Sequence, residues 1–398
     1  MLSVKITFVT NSNLRERAAI MQNISSAERM SIALKGGRPD RVPLFLVHDE
    51  RYGIRAQKKS VRDFFTATPE EMTKIAEKIF YMHPCDAFLS EIMYGFDFHD
   101  RNVLEDIQGD FHIYREKDTG ELFKMDNEGS KFMMDGQIRH DMPVSNESLI
   151  TCKDDIVRLV PKNPPVNFDS ELGFFAPARR IATKNPGHHI ASEITSPFAR
   201  AVWRCGGYEA GLCLVYDDPE LMVELMIAEM ELELKRLPAM VAAGVKSVYL
   251  TSFFTGSDTI SPDIYRNIVL PIETEVINRV HAAGLFAIYW FLGNMQFLID
   301  DFRKLPFDAL APEQPRKGYE VSYKTLRDTL GSEVCIMAHT REEDIIGNSQ
   351  DSIREYFDTQ YNESGRNGAF IAGVTITPEN ANPNSLDYYA SVVDEYVY

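Results

Sequence analysis

The sequence is poor in cysteine and has no long apolar run. Its 398 residues include five cysteines, an odd number without a Cys-x-x-Cys pair. This usage excludes a disulfide framework and favours a reducing compartment. No segment holds about 18 uninterrupted apolar residues, so we expect no membrane span. The first residues lack the layout of a signal peptide, and we expect a cytoplasmic protein.

Positive charge is also scarce, since 42 Lys and Arg residues face 59 Asp and Glu residues and give a formal net charge of -17. Such an imbalance repels phosphate backbones and anionic lipid, so nucleic-acid and membrane-surface roles are not expected. It is typical of a solvated acidic surface, or of a surface that docks a basic partner. Internal repeats and low-complexity linkers are absent. We therefore expect residues 1–398 to form a single domain, and the sequence leaves a homodimer open.

The chain instead offers short apolar runs that alternate with amphipathic stretches. Near-continuous apolar content is typical of strands that are buried on both faces. The predicted strands are Val42–His48, Ala87–Ile92, His189–Ile194, Ser247–Phe253, Phe286–Phe291, Ala309–Pro312, Val334–His339 and Ala369–Val374. The predicted helices are Pro69–Met82, Pro219–Ala242, Ser261–Ala283, Ser322–Leu330 and Glu342–Tyr361. This alternation predicts an α/β fold, a closed (β/α)8 barrel of the TIM type.

The stretch over residues 97–167 breaks the alternation. Asp118-Thr119-Gly120 resembles a hairpin turn between two strands of alternating pattern. We therefore predict that residues 97–167 form a β-rich insertion after the second strand, beside the mouth of the barrel. Residues 1–24 precede the first convincing helix and are predicted to be an N-terminal arm.

Catalytic residues of such a barrel lie where the strands end. The polar residues at those points are His48, Asp49, Glu91, Glu193, Ser252, Asp258, Tyr289, Asn294, Glu313 and His339. We take Glu91, Glu193 and His339 as the candidate catalytic residues. The Glu91 carboxyl group, enclosed by Phe88, Tyr94 and Phe96, could have a raised pKa and act as an acid. A structural hydrogen bond at the rim is the alternative for Glu91 and His339. Glu193 and His339 could also bind a metal ion together with His48 or Glu91.

The candidate substrate-binding residues are His48, Tyr289, Trp290, Asn294, Asp258 and Glu313. Tyr289 and Trp290 are neighbours in one strand, so one of them faces the barrel interior and the other faces outwards. The inward ring could stack on an aryl substrate or could simply fill the core.

Several segments, taken in order, resemble the uroporphyrinogen decarboxylase superfamily. They are Ala27-Glu28-Arg29 followed by GGRPDRVP from Gly36, SPFARAVWRCGGYEAGLCLVYDDPELMVELM from Ser196, Ser261-Pro262-Asp263 with Leu270-Pro271, AIYWFLGN ending at Asn294, and TPENANPNSL from Thr377. The resemblance covers about residues 25–398, and it also implies a (β/α)8 barrel.

The superfamily contains porphyrinogen decarboxylases and methyltransferases. Resemblance to the decarboxylases would place an arginine motif after the first strand, but the chain there reads HDERYG from His48, a poor receptor for a polyanion. The zinc thiol methyltransferases carry His-x-Cys before a Gly-Asn and a later Cys. Trp290, Leu292 and a position near Thr375 stand there in this chain, so a zinc-bound thiol is not expected, although other ligands leave zinc open.

The resemblance therefore implies a corrinoid-dependent methyltransferase of the O-demethylase type. It would move a methyl group from a small O-methyl substrate, which we expect to be aromatic, to the Co(I) corrinoid of a separate protein. The chain has no Asp-x-His-x-x-Gly segment, so the cobalamin would arrive on that partner. The alternatives are a decarboxylase or lyase acting on a small acid, and a non-catalytic barrel that binds a ligand.

Overall fold

The computed structural model describes residues 24–48, 50–90, 98–139, 147–162, 174–313, 319 and 322–398. Eight parallel strands close into a barrel in the order β1-β2-β7-β8-β9-β10-β11-β12. Their bounds are β1 Leu44–His48, β2 Ala87–Leu89, β7 His189–Thr195, β8 Ser247–Ser252, β9 Phe286–Phe291, β10 Ala309–Pro312, β11 Cys335–His339 and β12 Phe370–Thr377. The predicted (β/α)8 TIM barrel is confirmed.

Helices connect the strands and pack around them. Their bounds are α1 Ser26–Leu34, α2 Glu50–Ala56, α3 Val61–Phe65, α4 Pro69–Phe80, α5 Phe98–Arg101, α6 Lys153–Leu159, α7 Ala176–Lys184, α8 Pro197–Arg204, α9 Tyr208–Asp217, α10 Pro219–Leu234, α11 Leu237–Ala242, α12 Pro262–Ile264, α13 Leu270–Ala282, α14 Ile299–Phe302, α15 Tyr323–Leu330, α16 Glu342–Gly347, α17 Gln350–Gln360 and α18 Pro383–Asp394. Within the described ranges, none of these helices is long and apolar enough to cross a membrane.

Three of the predicted helices are interrupted. The stretch from Pro219 to Ala242 forms two helices, because Pro238 has no amide hydrogen with which to continue the first. Helices α12 and α13 are joined by a π-helical turn over Tyr265–Val269. The last predicted helix is divided at Asn348, whose φ of 56° is left-handed and ends a helix.

The insertion after β2 contains a four-stranded antiparallel sheet. Its strands are β3 Asn102–Gln108, β4 Phe111–Glu116, β5 Leu122–Met125 and β6 Lys131–Met133. The expected turn at Asp118-Thr119-Gly120 joins β4 to β5, and the Gly120 amide donates to the Glu116 carbonyl (2.8 Å). The sheet contacts α3, where the Arg62 guanidinium donates to the Asp110 carbonyl (2.6 Å). The predicted β-rich insertion is confirmed, while the predicted arm over residues 1–24 lies almost wholly outside the described residues, and the single-domain division stays a prediction.

Two apolar layers lie on the two faces of the barrel sheet. One cluster, which includes Phe45, Ala191 and Met337, fills the interior of the barrel. The other, which includes Leu46 and Ile190, lies between the strands and the helices. Because side chains alternate between the faces of a strand, membership of a cluster shows which residues of each strand face inwards.

Helix α1 lies across the N-terminal end of the barrel. Its residues Met30, Ala33 and Leu34 are fully or almost fully buried and belong to the interior cluster. Arg29 fixes the helix by ion pairs to Asp40 (2.6 Å) and Asp86 (2.5 Å). Apolar side chains of α1 therefore cover the interior of the barrel at this end.

Candidate active site

Five polar or aromatic side chains face inwards near the carboxyl ends of the barrel strands. Glu193 lies beside Tyr249 in the pairing of β7 with β8, and Thr251 lies beside Trp290 in the pairing of β8 with β9. The rings of Tyr249 and Trp290 are 5.3 Å apart. His339 ends β11 in the same alternation as the inward residues Cys335 and Met337. Glu193 and His339 therefore face the barrel interior together with Tyr249 and Thr251, which the sequence did not single out.

His339 is completely buried, and neither of its ring nitrogens has a hydrogen-bond partner in the described part of the chain. Its backbone is held on both sides, since its amide donates to the Tyr323 hydroxyl (3.3 Å) and its carbonyl accepts from Gln360 (2.8 Å). Burial lowers the pKa of His339 to about 3. The imidazole is therefore neutral at pH 7 and presents one N–H donor and one nitrogen acceptor.

Three further inward groups are buried without a partner among the residues described. They are the Tyr249 hydroxyl, the Thr251 hydroxyl and the Trp290 indole N–H. Burial, and after it the negative charge of Glu193, raises the pKa of Tyr249 well above its usual value of 10. Each buried polar group without a partner costs about 1–3 kcal/mol, and four such residues share this inward surface, where a bound molecule with polar atoms would complete their hydrogen bonds.

Small residues leave room beside these groups. Ala309 and Ala311 are the inward residues of β10, and Ala311 is paired with Trp290. Gly373 of β12 lies against His339, because a Cβ atom on Gly373 would be 3.1 Å from the His339 Nδ1 atom. Phe253 packs on Trp290 with ring centroids 6.1 Å apart. The surroundings of the polar groups are therefore apolar and partly aromatic.

Glu313 follows β10 and adds a second inward carboxylate. Its amide donates to the Phe291 carbonyl (2.9 Å), which continues the strand pairing. Its side chain accepts a hydrogen bond from the Tyr319 hydroxyl (2.7 Å). Burial, and then the contact with Glu313, raises the pKa of Tyr319. The Tyr319 hydroxyl is therefore a stable donor to the Glu313 carboxylate.

Tyr289 does not belong to this group. It faces the helices, where it donates to the buried Glu273 carboxylate, lies 3.2 Å from the Tyr265 hydroxyl oxygen and stacks on Phe307 at 5.6 Å. The expectation that Tyr289 contributes to the barrel mouth is thus corrected: of the two neighbouring aromatic residues, Trp290 is the inward one. The alternation predicts that the two differ, but a strand that is apolar on both faces does not show which residue points inwards.

His48 is also turned away from the interior. The pairing of β1 with β12 is irregular between Leu46 and His48, and the His48 ring lies beside Tyr52 (5.8 Å) and His83 (5.6 Å). Burial, and then the charge of His83, lowers the pKa of His48 to about 3. His48 therefore cannot complete a metal site with Glu193 and His339. Among the described residues, no three His, Cys, Asp or Glu side chains are grouped to hold a metal ion, and Glu91 and Asp49 lie outside them.

Asp258 and Asn294 join two loops at the rim. The Asp258 carboxylate accepts from the Asn294 amide (2.8 Å), and the Ser257 amide donates to the Asn294 carbonyl (2.8 Å). Glycines allow this contact, because a Cβ atom on Gly256 would lie 2.8 Å from the Gly293 Cα atom. Both predicted substrate-binding residues therefore have a role in shaping the rim.

Replacing Gly256 by alanine is expected to destabilise the protein by about 1–3 kcal/mol, because the added methyl group overlaps backbone atoms of the facing loop. Thermal unfolding measures the change. Gly347→Ala is the matched control, since its Cβ atom would meet nothing closer than 3.5 Å. Equal melting temperatures for the two variants would show that the loops do not hold each other at Gly256.

Comparison with known proteins adds a family and a fold. Residues 131–396 match the family model described as uroporphyrinogen decarboxylase (URO-D). A methyltransferase from Methanosarcina mazei is similar in structure, with a TM-score of 0.65, 16% identity, and coverage of 94% of this chain and 99% of that chain. A B12-independent methionine synthase from Shewanella sp. W3-18-1 has a TM-score of 0.41 and 10% identity, covering 87% of this chain and 88% of its own. No curated protein sequence is significantly similar to this chain.

Proposed function

This chain belongs to the uroporphyrinogen decarboxylase family, and on that premise we propose that it is a methyltransferase. The proposed reaction moves a methyl group from a small aromatic O-methyl donor to the corrinoid of a separate protein. The observation that carries the proposal is the set of buried inward donors His339, Tyr249 and Trp290, which have no hydrogen-bond partner among the described residues. They lie in a fold that the M. mazei methyltransferase shares at a TM-score of 0.65.

These donors suit the difficult part of the reaction. In methyl transfer from an aryl ether, the bond between the methyl carbon and the oxygen breaks, and its electron pair stays on the oxygen. The reduced corrinoid supplies the nucleophile that accepts the methyl group. Neutral N–H and O–H donors stabilise the developing charge on oxygen strongly when they are fixed in a site without water. The neutral His339 ring and the protonated Tyr249 hydroxyl are such donors.

Glu193 has a positioning role in this proposal. It lies beside Tyr249, and its negative charge disfavours ionisation of that hydroxyl. Tyr249 therefore remains a donor throughout the pH range in which most proteins are stable. Glu91 lies outside the described residues, and its role as a general acid stays a prediction.

Zinc does not fit the positions at which the thiol methyltransferases of the superfamily carry their first ligands. Trp290 faces the interior there, and an indole N–H is a donor without a lone pair for a metal ion. Leu292 has no ligand atom at all. This difference favours a chain that acts on the methyl donor over one that activates a thiol acceptor.

A decarboxylase is the less favoured alternative. Substrates with several carboxylates need cationic partners, and the eight barrel strands contain no Lys or Arg within their described bounds. The inward surface therefore offers no fixed positive charge along those strands.

Incubating the protein with cob(I)alamin and 4-methoxybenzyl alcohol tests the proposal. We expect the absorbance of methylcobalamin to appear together with an equal amount of 4-hydroxybenzyl alcohol. Release of carbon dioxide from small aromatic acids, without any methyl transfer, would favour the decarboxylase. Ligand binding without turnover of either kind would favour a non-catalytic barrel.

A further inference from the structure

Aromatic side chains form a continuous row from the barrel interior to the protein surface beside the end of β8. In order of contact, the residues of this aromatic row are Tyr249, Trp290, Phe253, Trp203, Phe254 and Tyr208. Neighbouring ring centroids in the row lie between 5.2 and 6.1 Å apart. Tyr249 is completely buried in the interior, whereas Tyr208 is 52% exposed. The row therefore connects the inward surface of the candidate active site with the surface of the protein.

Phe253 is the residue of the row that borders both environments. It follows the last residue of β8 and continues the inward alternation of Tyr249 and Thr251. Its ring contacts Trp290 on the inner side at 6.1 Å and Trp203 on the outer side at 5.8 Å. Phe253 is only partly buried, although the adjoining Trp290 is 4% exposed. Phe253 therefore has accessible surface next to an inward ring of the site.

The next residue, Phe254, has a strained backbone. Its φ of 63° lies in the left-handed region that bulky side chains rarely adopt. Such a conformation persists only where the surroundings impose it, and strained residues of this kind are common at functional sites. Here the Phe254 ring packs edge-on against Trp203 (6.1 Å) and Tyr208 (5.2 Å). The hydroxyl oxygens of Ser252 and Thr255, on either side of the turn, are 2.8 Å apart. These contacts fix the turn and, with it, the direction of the preceding ring.

We propose that Phe253 determines the specificity of the site for an aromatic methyl donor, and that Phe254 is its positioning residue. The ring of the donor packs against the accessible side of Phe253, next to Trp290. Aromatic rings attract each other beyond the effect of burying apolar area, and a saturated ring of similar shape lacks this attraction. The inference rests on the proposed function, because it takes this end of the barrel as the place where the methyl donor binds.

Two neutral probes of similar shape test the preference for an aromatic ring. They are 4-methoxybenzyl alcohol and its saturated counterpart, (4-methoxycyclohexyl)methanol. Isothermal titration calorimetry with the whole chain is expected to show the aromatic probe binding about tenfold tighter than the saturated probe. Binding of the aromatic probe should also change the tryptophan fluorescence, because both tryptophans of the chain, Trp203 and Trp290, belong to the aromatic row. Binding without any change in fluorescence would place the probe elsewhere and overturn the inference.

Two variants locate the preference. Phe253→Leu keeps an apolar side chain but removes the ring, and it is expected to reduce the advantage of the aromatic probe by about threefold or more. Phe254→Gly accepts the left-handed φ without strain but lacks the ring that fixes the turn, and a similar reduction is expected. Phe286→Leu is the matched control, because Phe286 is also partly buried but begins β9 at the opposite end of the barrel. We expect the control to keep the full preference. Melting temperatures show whether each variant is folded.

The kinetics of methyl transfer give a second readout. Phe253→Leu is expected to raise KM for the aromatic donor severalfold and to leave kcat nearly unchanged, because packing against the donor ring is the same before and during the transfer. A fall in kcat at constant KM would contradict a role in specificity.

The results can separate this inference from the proposed reaction. Equal binding of the two probes to the natural protein, or an unchanged preference in folded Phe253→Leu, would overturn the inference. An unchanged preference in Phe254→Gly alone would contradict the positioning role of Phe254. A preference that Phe253→Leu reduces, without methyl transfer from the aromatic probe, would support the inferred role of Phe253 and contradict the methyltransferase.

Discussion

Replacing His339 by leucine is expected to lower kcat/KM for methyl transfer by about 10²–10³-fold without loss of stability. The variant removes both ring nitrogens from the interior while keeping a side chain of similar volume. The His339 ring is completely buried and its nitrogens lack partners among the described residues. Burying a polar group without a hydrogen-bond partner costs about 1–3 kcal/mol, and leucine has no polar group to bury. The melting temperature of the variant should therefore equal or exceed that of the natural protein. Transfer to cob(I)alamin and thermal unfolding measure the two effects.

His189→Leu is the matched control for this variant. His189 is a buried histidine of the same barrel, but it lies at the start of β7 and its Nε2 atom is 2.9 Å from the Ser247 hydroxyl oxygen. Its loss is expected to cost about 1 kcal/mol of stability and to leave kcat/KM unchanged. If His339→Leu behaved in the same way, His339 would be a structural residue of the rim and the proposed donor role would be wrong.

The second large effect concerns Glu273, which is completely buried on the helix side of the barrel. It accepts hydrogen bonds from Ser252 (2.7 Å) and Tyr289. Burial, which outweighs these two hydrogen bonds, raises the pKa of Glu273 to about 7. A shift of that size corresponds to a cost of about 3 kcal/mol for the ionised form in the folded protein.

The sign of the pH dependence follows from this shift. Between the unfolded pKa near 4.5 and the folded pKa near 7, the folded protein holds a proton that the unfolded chain releases. Glu273 therefore lowers the free energy of unfolding as the pH rises through this window, and above it the full cost remains. Glu273→Gln should be more stable than the natural protein by up to about 3 kcal/mol at pH 8 and much less so at pH 5.

Denaturant unfolding at both pH values measures that difference. Glu275→Gln, an exposed neighbour on the same helix, is the control and should show no such dependence on pH. A constant difference between Glu273→Gln and the natural protein at the two pH values would mean that Glu273 is already ionised at pH 5.

The barrel could be predicted from the sequence because each of its strands is a distinct short run of apolar residues. Phe286–Phe291 and Ala309–Pro312 have the predicted bounds, and the others differ at their ends by a few residues. The interruptions of the helices were harder to predict. The break before α11 depends on Pro238, but the apolar residues around it recur at helical spacing, so the spacing predicts one continuous helix. The π-helical turn at Tyr265 gives no signal in the spacing of apolar residues.

The site was only partly accessible to sequence reasoning. Glu193 and His339 were found because polar residues stand out where apolar strands end. Tyr249 and Thr251 were missed, although the alternation of Ser247, Tyr249 and Thr251 in an otherwise apolar strand was a usable signal. Trp290 faces the interior and Tyr289 faces the helices because of the way the barrel closes. A local sequence pattern cannot predict which of the two residues faces inwards.

Helix α1 gives the proposed reaction a fixed sequence of events. Because Met30, Ala33 and Leu34 fill the N-terminal end of the barrel, the proposed methyl donor and the proposed partner protein would both approach the interior from the opposite end. A docked partner protein would block the entrance through which the small molecule binds and its demethylated product leaves. In the proposed reaction the donor would therefore bind first, the partner would then dock and dissociate, and the product would leave last.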